Sequence, residues 1–368
     1  MLDKQNLVIV HSKDKSMCGQ LRAHALTQLG ACGMTGEFEF VVSPEVIRDE
    51  YLLKHTCTVF INRVMGPNSS EFVKYYGRIK KKYGFRIVVD YDDVIWDVDG
   101  RSLIPEYNCV KFDPRIAGEW IESCVQYIDE VTFSTRFLGQ CWIRRFGEAT
   151  VPFLTVLPNF LPRMFYGRRH RRITRKIAKP KVVYGGSITH FKDHGNAGDF
   201  GGPWIPWLQK AVSDDAVELH MFGYEVKADF LQPIKDKIVL HQPAPACAWG
   251  SALRDVEGDI YLAPLLENDF NRAKSNLKLL EASATGMAFL GSWWEGSCPY
   301  EFAHGLSRIG TDATPEDISD AVSKMCEAKA FNEIMEHQKQ LADRFWLEDP
   351  MNLTQLMAVL CRGRVRVG

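Results

Sequence analysis

Short apolar runs alternate with amphipathic stretches along the first half of the chain. The runs cover residues 7–10, 41–42, 58–61, 86–89, 130–133 and 155–157, and the stretches that predict helices cover residues 20–29, 71–82 and 116–127. Runs this short and this apolar are typical of strands that are buried on both faces. Their alternation with helices predicts an α/β fold built on a doubly wound parallel sheet.

A second alternation of the same kind fills the rest of the chain. Its apolar runs cover residues 181–184, 217–222, 238–240, 260–262 and 289–290, and helices are predicted at residues 315–329, 330–342 and 352–360. A chain of 368 residues is long enough for two domains. We therefore expect two Rossmann-like domains at residues 1–162 and 181–345. A linker would cover residues 163–180, and a C-terminal helix with a basic tail would cover residues 346–368.

Composition narrows the class of protein. Hydrophobic residues make up 46% of the chain and the formal net charge is −1, so the whole molecule is not a polycation. The ten cysteines are dispersed without a C-x-x-C spacing, which argues against a zinc ribbon. Dispersed cysteines without a signal peptide are typical of a reducing cytoplasm, which is the expected location. No apolar run approaches the roughly 20 residues that span a membrane.

The most informative stretch is residues 267–292. It reads as a polar loop, a helix that Gly286 ends, and a strand. Ser275 and Asn276 occupy the positions of a helix N-cap ahead of Leu277. A helix that begins at the carboxyl end of a parallel strand is a ready binding site for an anion.

Charged residues flank this helix start. Lys274 precedes it, Lys278 lies in its first turn, and Glu281 follows one turn later. Two ammonium groups at a helix N-terminus favour a negatively charged ligand. The alternative is an ordinary αβ unit whose lysines are solvated.

Glycine-containing turns follow several of the predicted strands. Their candidate binding residues are Gly19, Gly186, Ser187, His190, Lys192 and Gly223. Glycine lets a backbone approach a phosphate closely, and Lys192 is near enough in sequence to reach the same anion. Each turn taken alone is equally well explained as a loop with a surface lysine, and neither a G-x-G-x-x-G motif nor a P-loop is present.

The order of these parts resembles the donor-binding segment of the retaining GT-B glycosyltransferases. In that family a strand ending in proline is followed by a loop that carries one glutamate, a helix that carries a second glutamate, a glycine and another strand. Pro264, Glu281 and Gly286 fit this order in register. The resemblance implies that Glu281 holds the nucleotide ribose. Ala273 replaces the first glutamate, which grips the sugar hydroxyls in the family.

Other residues of the loop are candidates for the missing sugar contact. They are Glu267, Asp269 and Asn271. The alternative is that the sugar is smaller or differently held. This departure leaves the identity of the sugar open.

The resemblance assigns roles outside the helix as well. Lys192 matches the lysine that contacts the donor diphosphate, Ser187 replaces the family's arginine, and His190 is a partial substitute for that arginine. Gly223 lies where the family has a glycine near the nucleotide base. Gly19 matches the turn that faces the donor phosphate and the acceptor.

The resemblance also implies an architecture. GT-B proteins have two Rossmann-like domains that face a cleft, and a C-terminal helix that crosses back to the first domain. The Leu-Pro-Asn sequence that ends at Asn159 resembles the segment that closes the first domain in that family.

An acidic cluster ends the predicted strand at residues 86–89. Asp90, Asp92 and Asp93 follow it, and we expect at least one of them to line the cleft. An Asp-x-Asp sequence is also the metal-binding signature of the GT-A glycosyltransferases, but that fold does not explain the second alternation. In GT-B relatives this strand end faces the sugar and acceptor across the cleft. Asp92 and Asp93 would occupy that place here. The alternative is that these carboxylates cap a loop or helix.

The resemblance implies a transfer reaction in which a nucleoside diphosphate leaves, with a UDP-sugar as the expected donor. Lys192, Lys274 and the backbone N–H groups near Leu277 would stabilise the leaving group's charge. With Asp92 and Asp93 they form the expected catalytic set. A divalent metal is possible but not required, and the family implies retention of configuration.

The acceptor is less defined by the sequence. Nine Arg or Lys residues lie between Arg163 and Lys181, and Arg362, Arg364 and Arg366 lie near the end. They predict contact with a polyanion such as duplex DNA or an anionic lipid surface. The alternative is solvated interdomain charge.

Two acceptor classes follow from that charge. Bacteriophage enzymes that glycosylate hydroxylated cytosine in DNA share this architecture, although none of their acceptor motifs matches here, and such an enzyme would work in the host cytoplasm. Cell-envelope glycan or lipid-linked saccharide transferases are the alternative, with Trp204 and Trp207 as membrane-facing candidates. A sugar-nucleotide epimerase and a non-catalytic sugar-nucleotide-binding protein are further alternatives.

Overall fold

The computed structural model describes residues 6–12, 19–104, 113–167, 169–186, 198–222 and 229–362. Two sheets of six parallel strands dominate this part of the chain. The first sheet contains β1 (Leu7–His11), β2 (Glu39–Val42), β3 (Thr56–Asn62), β4 (Arg86–Tyr91), β7 (Glu130–Phe133) and β8 (Phe153–Val156). Between β4 and β7 the chain forms a separate hairpin of β5 (Asp97–Val98) and β6 (Arg101–Ser102). The second sheet contains β9 (Lys181–Gly185), β10 (Glu218–Phe222), β11 (Ile238–His241), β12 (Ile260–Ala263), β13 (Ala288–Trp293) and β14 (Arg308–Gly310).

Helices connect the strands of both sheets. In the first half they are α1 (Ala25–Ala31), which a π-helical turn (Gln20–His24) precedes, α2 (Glu50–His55), α3 (Pro67–Tyr83), α4 (Pro114–Glu122), α5 (Arg136–Phe146) and α6 (Arg163–Tyr166). In the second half they are α7 (Trp204–Ser213), α8 (Ala246–Asp255), α9 (Asp269–Arg272), α10 (Leu277–Thr285), α11 (Pro315–Met325), α12 (Ala328–Ala342) and α13 (Pro350–Leu360).

The strand order is the same in both sheets. It is β2-β1-β3-β4-β7-β8 in the first and β11-β10-β9-β12-β13-β14 in the second. In each sheet the chain moves to one side of its first strand and then continues on the other side. This reversal opens a crevice at the carboxyl ends of the strands, where ligands bind in doubly wound folds.

Alternating side chains of the strands pack on opposite faces of each sheet. Val8 and Ile9 are both fully buried but belong to different apolar clusters, and so do Val182 and Val183. This is the period of two that a strand requires. The cluster that contains Val8 also contains Val183, so the two halves share part of their core.

The end of the chain returns to the first half. The N–H of Leu161 donates to the carbonyl O of Phe345 over 2.9 Å, and the N–H of Leu347 donates back to Leu161 over 3.0 Å. At the end of α13, the Thr58 hydroxyl of β3 donates to the carbonyl of Leu360. The predicted crossing of the C-terminal helix back to the first half is confirmed.

Every predicted strand is present, but the helices differ in places. The helix predicted at residues 116–127 ends at Glu122, because Cys124 leaves the helical conformation before a separate turn. The break predicted at residue 330 comes earlier, since Glu327 is extended at the N-cap of α12. The sequence pattern did not predict α5, α7 or α8.

The tryptophans of α7 do not face outward. Trp204 and Trp207 are 3% and 2% exposed, and Trp204 Nε1 donates to the Ser292 hydroxyl over 3.1 Å. Both rings belong to the core of the second half. The interpretation of these residues as a membrane-facing cluster is therefore wrong. Among the described helices, none has both the length and the apolar character that crossing a bilayer requires.

Candidate functional site

The carboxyl ends of the two sheets meet through direct hydrogen bonds. Thr135 follows β7, and its hydroxyl donates to the carbonyl O of Ala273 over 2.9 Å. Asn159 lies just beyond β8, and its Nδ2 donates to the Ser275 hydroxyl over 2.8 Å. Phe270 and Ala273 pack in the apolar cluster of the first sheet. The loop between β12 and α10 therefore bridges the two crevices.

The start of α10 has the features of an anion site. Asn276 is its N-cap residue, and its side chain makes no capping hydrogen bond. The first N–H groups of a helix, which begin here at Leu277, have no partner inside the helix. The ammonium of Lys274 lies nearby, 4.8 Å from the centre of the Phe270 ring. Backbone donors and a cation thus occur together at one helix end.

Lys278 connects this helix end to the turn after β9. Its Nζ donates to the carbonyl of Gly185 and lies 4.6 Å from the centre of the Tyr184 ring. Burial lowers the pKa of Lys278 to about 8, while the nearby Glu281 carboxylate opposes the decrease and the Lys274 ammonium adds to it. An anion bound here would favour the charged form of Lys278.

Glu281 lies in a cage of three donors. Its Oε1 accepts from the Tyr166 hydroxyl and from Trp249 Nε1, both over 2.9 Å, and its Oε2 accepts from the Tyr261 hydroxyl over 3.1 Å. The side chain is 4% exposed. Burial raises the pKa of Glu281, against the opposing effects of the Lys278 ammonium and the three hydrogen bonds.

The glycines after β9 are required by their surroundings. A Cβ on Gly185 would lie 2.6 Å from the Trp249 ring and 2.9 Å from the Tyr261 hydroxyl. A Cβ on Gly186 would lie 2.4 Å from the Tyr184 hydroxyl. The turn therefore brings bare backbone close to the three-donor cage. The remaining predicted residues of these turns, Ser187, His190, Lys192 and Gly223, lie outside the described residues.

An aromatic row extends from this turn along the carboxyl ends of the next two strands. Gly185 pairs with Phe222 of β10, and Phe222 pairs with His241 of β11. The Phe222 and His241 rings are stacked at 4.6 Å and 19°, and the Phe222 and Trp249 rings meet edge to face at 5.1 Å. His241 and Trp249 are partly exposed. The row offers flat ring surfaces at the edge of the sheet.

Asp90 is committed to the structure of the first sheet. Arg22 grips its carboxylate through Nε, at 2.9 Å, and through Nη2. The hydroxyl of Thr132 and the amide of Asn62 also donate to it. Arg22 in turn donates to Asn159 Oδ1 over 3.1 Å. Asp90 therefore holds the segment that contacts Ser275, and its fully buried carboxylate does not line the cleft.

Asp92 and Asp93 share one arginine. Arg63 donates through Nε to Asp92 Oδ1 over 2.5 Å, and its Nη2 lies 3.8 Å from Asp93 Oδ2. Arg63 has a φ of 63°, in the left-handed region. The Asp92 side chain is 1% exposed, whereas that of Asp93 is 30% exposed. Because arginines hold both Asp90 and Asp92, the Asp-x-Asp sequence does not present two open carboxylates to a metal. Among the described residues no cluster of three or more His, Cys, Asp or Glu could hold a metal ion.

The loop that lacks the first glutamate has other partners. Asn271 is fully buried and donates to Asp199 Oδ1 over 2.8 Å, and Glu267 pairs with Arg272. Ala273 is 1% exposed and faces the first half. Of the candidates for the sugar contact, Asn271 and Glu267 are thus already bonded within the loop and to its neighbour.

The first sheet has a cavity of about 420 Å³ at the carboxyl ends of β1, β2 and β3. Ser12, Asn62, Arg63 and Phe72 are among its lining residues. It lies at the strand reversal of the first sheet, which is the expected position for a ligand. Gly19, which follows the same crevice in sequence, is buried at the start of the π-helical turn.

Four of the nine basic residues between Arg163 and Lys181, called the basic run below, pair with acidic residues of the second half. The ion pairs are Arg169–Glu257 at 3.3 Å, Arg171–Asp259 at 2.6 Å, Lys176–Glu327 at 2.6 Å and Lys179–Asp215 at 2.6 Å. The Arg163 guanidinium lies over the Trp346 ring. These four positions fasten the segment to the second half and do not form an open polyanion surface, whereas Arg172 and Arg175 of the same run are exposed.

Arg362 also forms an ion pair within the fold, with Glu130. Its Nη2 donates to Glu130 Oε1 over 2.8 Å and its Nε donates to Oε2 over 3.1 Å. Glu130 is fully buried and also pairs with Arg86. Arg362 is therefore not an open polyanion contact, and Arg364 and Arg366 lie outside the described residues.

Several site residues have no signal in the sequence. The three-donor cage brings together Tyr166, Trp249 and Tyr261 from three separate elements. Arg22 and Arg63 likewise meet carboxylates 68 and 29 positions away. No spacing motif connects residues this far apart along the chain, so only the fold identifies them.

No protein-family model matches this sequence, and no curated protein is similar to it by sequence. Solved structures are similar in fold. HepE from Anabaena, in complex with UDP and glucose, has 9% identity and a TM-score of 0.58 over 96% of this chain and 99% of its own. T4 phage BGT, in complex with its UDP-glucose substrate, has 10% identity and a TM-score of 0.53 over 96% and 99%. A structure of the DNA-modifying enzyme β-glucosyltransferase gives 10% identity and a TM-score of 0.54 over the same shares.

Each of these structural similarities covers nearly the whole of this chain and nearly the whole of the solved chain. They confirm the predicted GT-B architecture of two parallel α/β sheets facing a cleft. At 9–10% sequence identity these similarities show that the fold is shared, and they show nothing about substrate or reaction.

Proposed function

We propose that this protein is a glycosyltransferase that moves a sugar from a UDP-sugar to an acceptor hydroxyl. The observation that carries the proposal is the uncapped start of α10, which holds Lys274 and Lys278 beside the glycine turn of Gly185 and Gly186. Backbone donors and two cations at the carboxyl edge of a parallel sheet suit a diphosphate. HepE and T4 phage BGT, which share the fold, were solved with UDP or UDP-glucose.

The diphosphate would lie between α10 and the turn after β9. Lys278 would exchange its contact with the Gly185 carbonyl for a phosphate oxygen, and the charge that develops on the leaving group would be stabilised there. Lys274 would approach from the bridging loop. Lys192 belongs to the same proposal through its position in the sequence, six residues after Gly186.

Glu281 would accept a ribose hydroxyl. A carboxylate has about four acceptor positions, and three are taken by Tyr166, Trp249 and Tyr261. The fourth acceptor position belongs to Oε2, which accepts only from Tyr261 within the part of the chain that the structure describes. The cage would thus fix the carboxylate in one orientation toward the nucleotide.

The acceptor side of the cleft would be formed by the first sheet. Asp93 is more exposed than Asp92 and is the stronger candidate to contact the acceptor hydroxyl. Arg63, which pairs with Asp92, would hold Asp93 in place. The cavity near Arg63 would receive the acceptor. Retention of configuration is part of the proposal through the resemblance of α10 to the retaining family.

For the acceptor itself we favour a hydroxylated cytosine base in DNA, since a DNA-modifying β-glucosyltransferase shares the fold. A lipid-linked or envelope glycan is the alternative. The ion pairs of the basic run remove the charge argument for duplex DNA at those positions, so the proposal rests on the fold and on the cavity.

A transfer assay tests the proposal. The protein is incubated with UDP-glucose and other UDP-sugars, and hydroxymethylated DNA or a lipid-linked acceptor is examined for a gain in mass. Gain on DNA supports the full proposal, and gain on lipid alone overturns the acceptor. A protein that transfers no sugar and binds no UDP overturns the proposal entirely. The matched control is Lys210→Met, a surface lysine on α7 paired with Asp214, which should leave transfer unchanged, whereas Lys278→Met should lower it about 10²–10³-fold.

A further inference from the structure

A chain of three titratable side chains runs across the edge of the second sheet. Glu218 Oε1 lies 2.7 Å from His220 Nε2, and His220 Nδ1 lies 2.8 Å from His241 Nε2. The two histidine rings are stacked at 5.1 Å. His220 is 6% exposed and His241 is partly exposed. The chain therefore leads from the body of β10 to the aromatic row at the carboxyl edge.

The hydrogen bonds determine where the protons are. An ionised carboxylate can only accept, so Glu218 must accept from Nε2–H of His220. In a neutral His220 the other nitrogen, Nδ1, is then an acceptor, and His241 must donate to it from Nε2. In a neutral His241 this leaves Nδ1 without a proton. Within the described residues, Nδ1 of His241 has no hydrogen-bond partner.

The position of His241 relates it to the proposed nucleotide. Gly185, Phe222 and His241 are register partners on three adjacent strands, so the row spans about two strand spacings, or about 10 Å. In doubly wound folds a nucleotide extends from the glycine turn of the first strand toward the neighbouring strand ends. A diphosphate at Gly185 would thus place the base toward His241.

We propose that His241 selects the nucleobase of the donor by offering Nδ1 as a fixed acceptor to a ring N–H, and that His220 and Glu218 are positioning residues for it. A uracil or thymine ring carries an N–H at N3, whereas a cytosine ring presents an unprotonated acceptor at that position. The site therefore favours a uridine or thymidine diphosphate. This inference rests on the proposed donor site.

Calorimetric binding of UDP, TDP and CDP to the full chain tests the inference. The wild-type protein should bind UDP and TDP at least about fivefold more tightly than CDP, the order of one hydrogen bond. His241→Phe keeps a stacking ring and removes the acceptor, so the preference should fall below about twofold. A preference retained by His241→Phe overturns the inference while leaving the donor site intact. Absence of binding of all three nucleotides by the wild-type protein overturns the donor site and the inference together.

A second measurement determines the tautomer of His241 directly. Nitrogen-15 NMR of the histidine rings should show His241 protonated at Nε2 and unprotonated at Nδ1. His220→Phe should release that preference and mix the two tautomers, and the UDP-over-CDP preference should fall with it. An Nδ1–H tautomer of His241 in the wild-type protein contradicts the inference.

Discussion

Lys278 and Glu281 lie one helical turn apart on α10, and burial moves their pKa values toward each other. Burial lowers the pKa of Lys278 to about 8 and raises the pKa of Glu281 above its ordinary value. The two side chains act on different partners, since Lys278 donates to Gly185 and Glu281 accepts from its three-donor cage. A ligand phosphate beside Lys278 would stabilise its charge. The donor site should therefore respond to pH just above neutrality.

The first prediction concerns that response. UDP affinity should weaken about tenfold between pH 7 and pH 9, because at pH 9 about nine-tenths of Lys278 would be neutral when its pKa is about 8. Lys278→Arg keeps its charge at both pH values and should give a much flatter curve. Calorimetry across this range measures both proteins. Parallel curves for the wild type and the arginine variant would rule out Lys278 as the titrating group.

The second prediction concerns the cage around Glu281. Glu281→Leu leaves the hydroxyls of Tyr166 and Tyr261 and Nε1 of Trp249 without their acceptor, and each buried orphan costs about 1–3 kcal/mol. The free energy of unfolding in urea should fall by more than about 3 kcal/mol. Glu281→Gln should cost less, because its amide oxygen still accepts from two of the donors.

The matched control for the cage is Glu316→Leu, an exposed residue in the first turn of α11. It should change stability by less than about 0.5 kcal/mol. Equal losses in Glu281→Leu and Glu316→Leu would show that the cage does not contribute to stability.

The third prediction concerns acid stability and His11. His11 Nδ1 lies 2.8 Å from the Ser43 carbonyl, and its Nε2 lies 2.8 Å from the Tyr76 hydroxyl. Burial lowers the pKa of His11 from 6.5 to about 4. Between these two pH values the unfolded chain binds the proton and the folded chain does not, so stability is full above pH 6.5 and falls as the pH decreases toward 4.

The size of that decrease follows from the two pKa values. It corresponds to about 3 kcal/mol over the whole range. About 2 kcal/mol of it falls between pH 8 and pH 5, and urea unfolding of the wild type and of His11→Asn over that range measures this part. The variant should start less stable and lose less as the pH falls; an identical slope in both proteins would assign the acid sensitivity to other groups.

The fourth prediction separates two roles for the C-terminal arginine. Arg362→Met removes one partner of the buried Glu130 carboxylate and should lower the free energy of unfolding by about 1–3 kcal/mol. It should leave affinity for duplex DNA unchanged. Arg101→Met, at an exposed position of β6, makes the same charge change and should alter neither quantity. A loss of DNA affinity confined to Arg362→Met would restore it as a polyanion contact.

The sequence predicted the parts of the fold that depend on local pattern. The inner strands of both sheets are buried on both faces and read as short apolar runs. Gly286 ends α10 in the left-handed conformation that glycine favours. The same pattern predicted the helix start at Leu277. Resemblance to a family supplied the crossing of α13, which no local signal indicates.

The sequence did not predict contacts between distant segments. Arg171 meets Asp259 88 positions later, so a run without acidic neighbours in sequence has them in space. Glu281 meets Tyr166 115 positions earlier. The order of charged residues along a chain does not show which of them form ion pairs, because the partners are brought together only by the fold.

The most direct test of the donor site is a crystal structure of the protein with UDP bound. We predict that the diphosphate lies at the start of α10, with a phosphate oxygen about 3 Å from Lys278 Nζ and a ribose hydroxyl bonded to Glu281 Oε2. UDP bound elsewhere, with the Lys278–Gly185 contact and the Glu281 cage unchanged and no phosphate near either, would contradict the account.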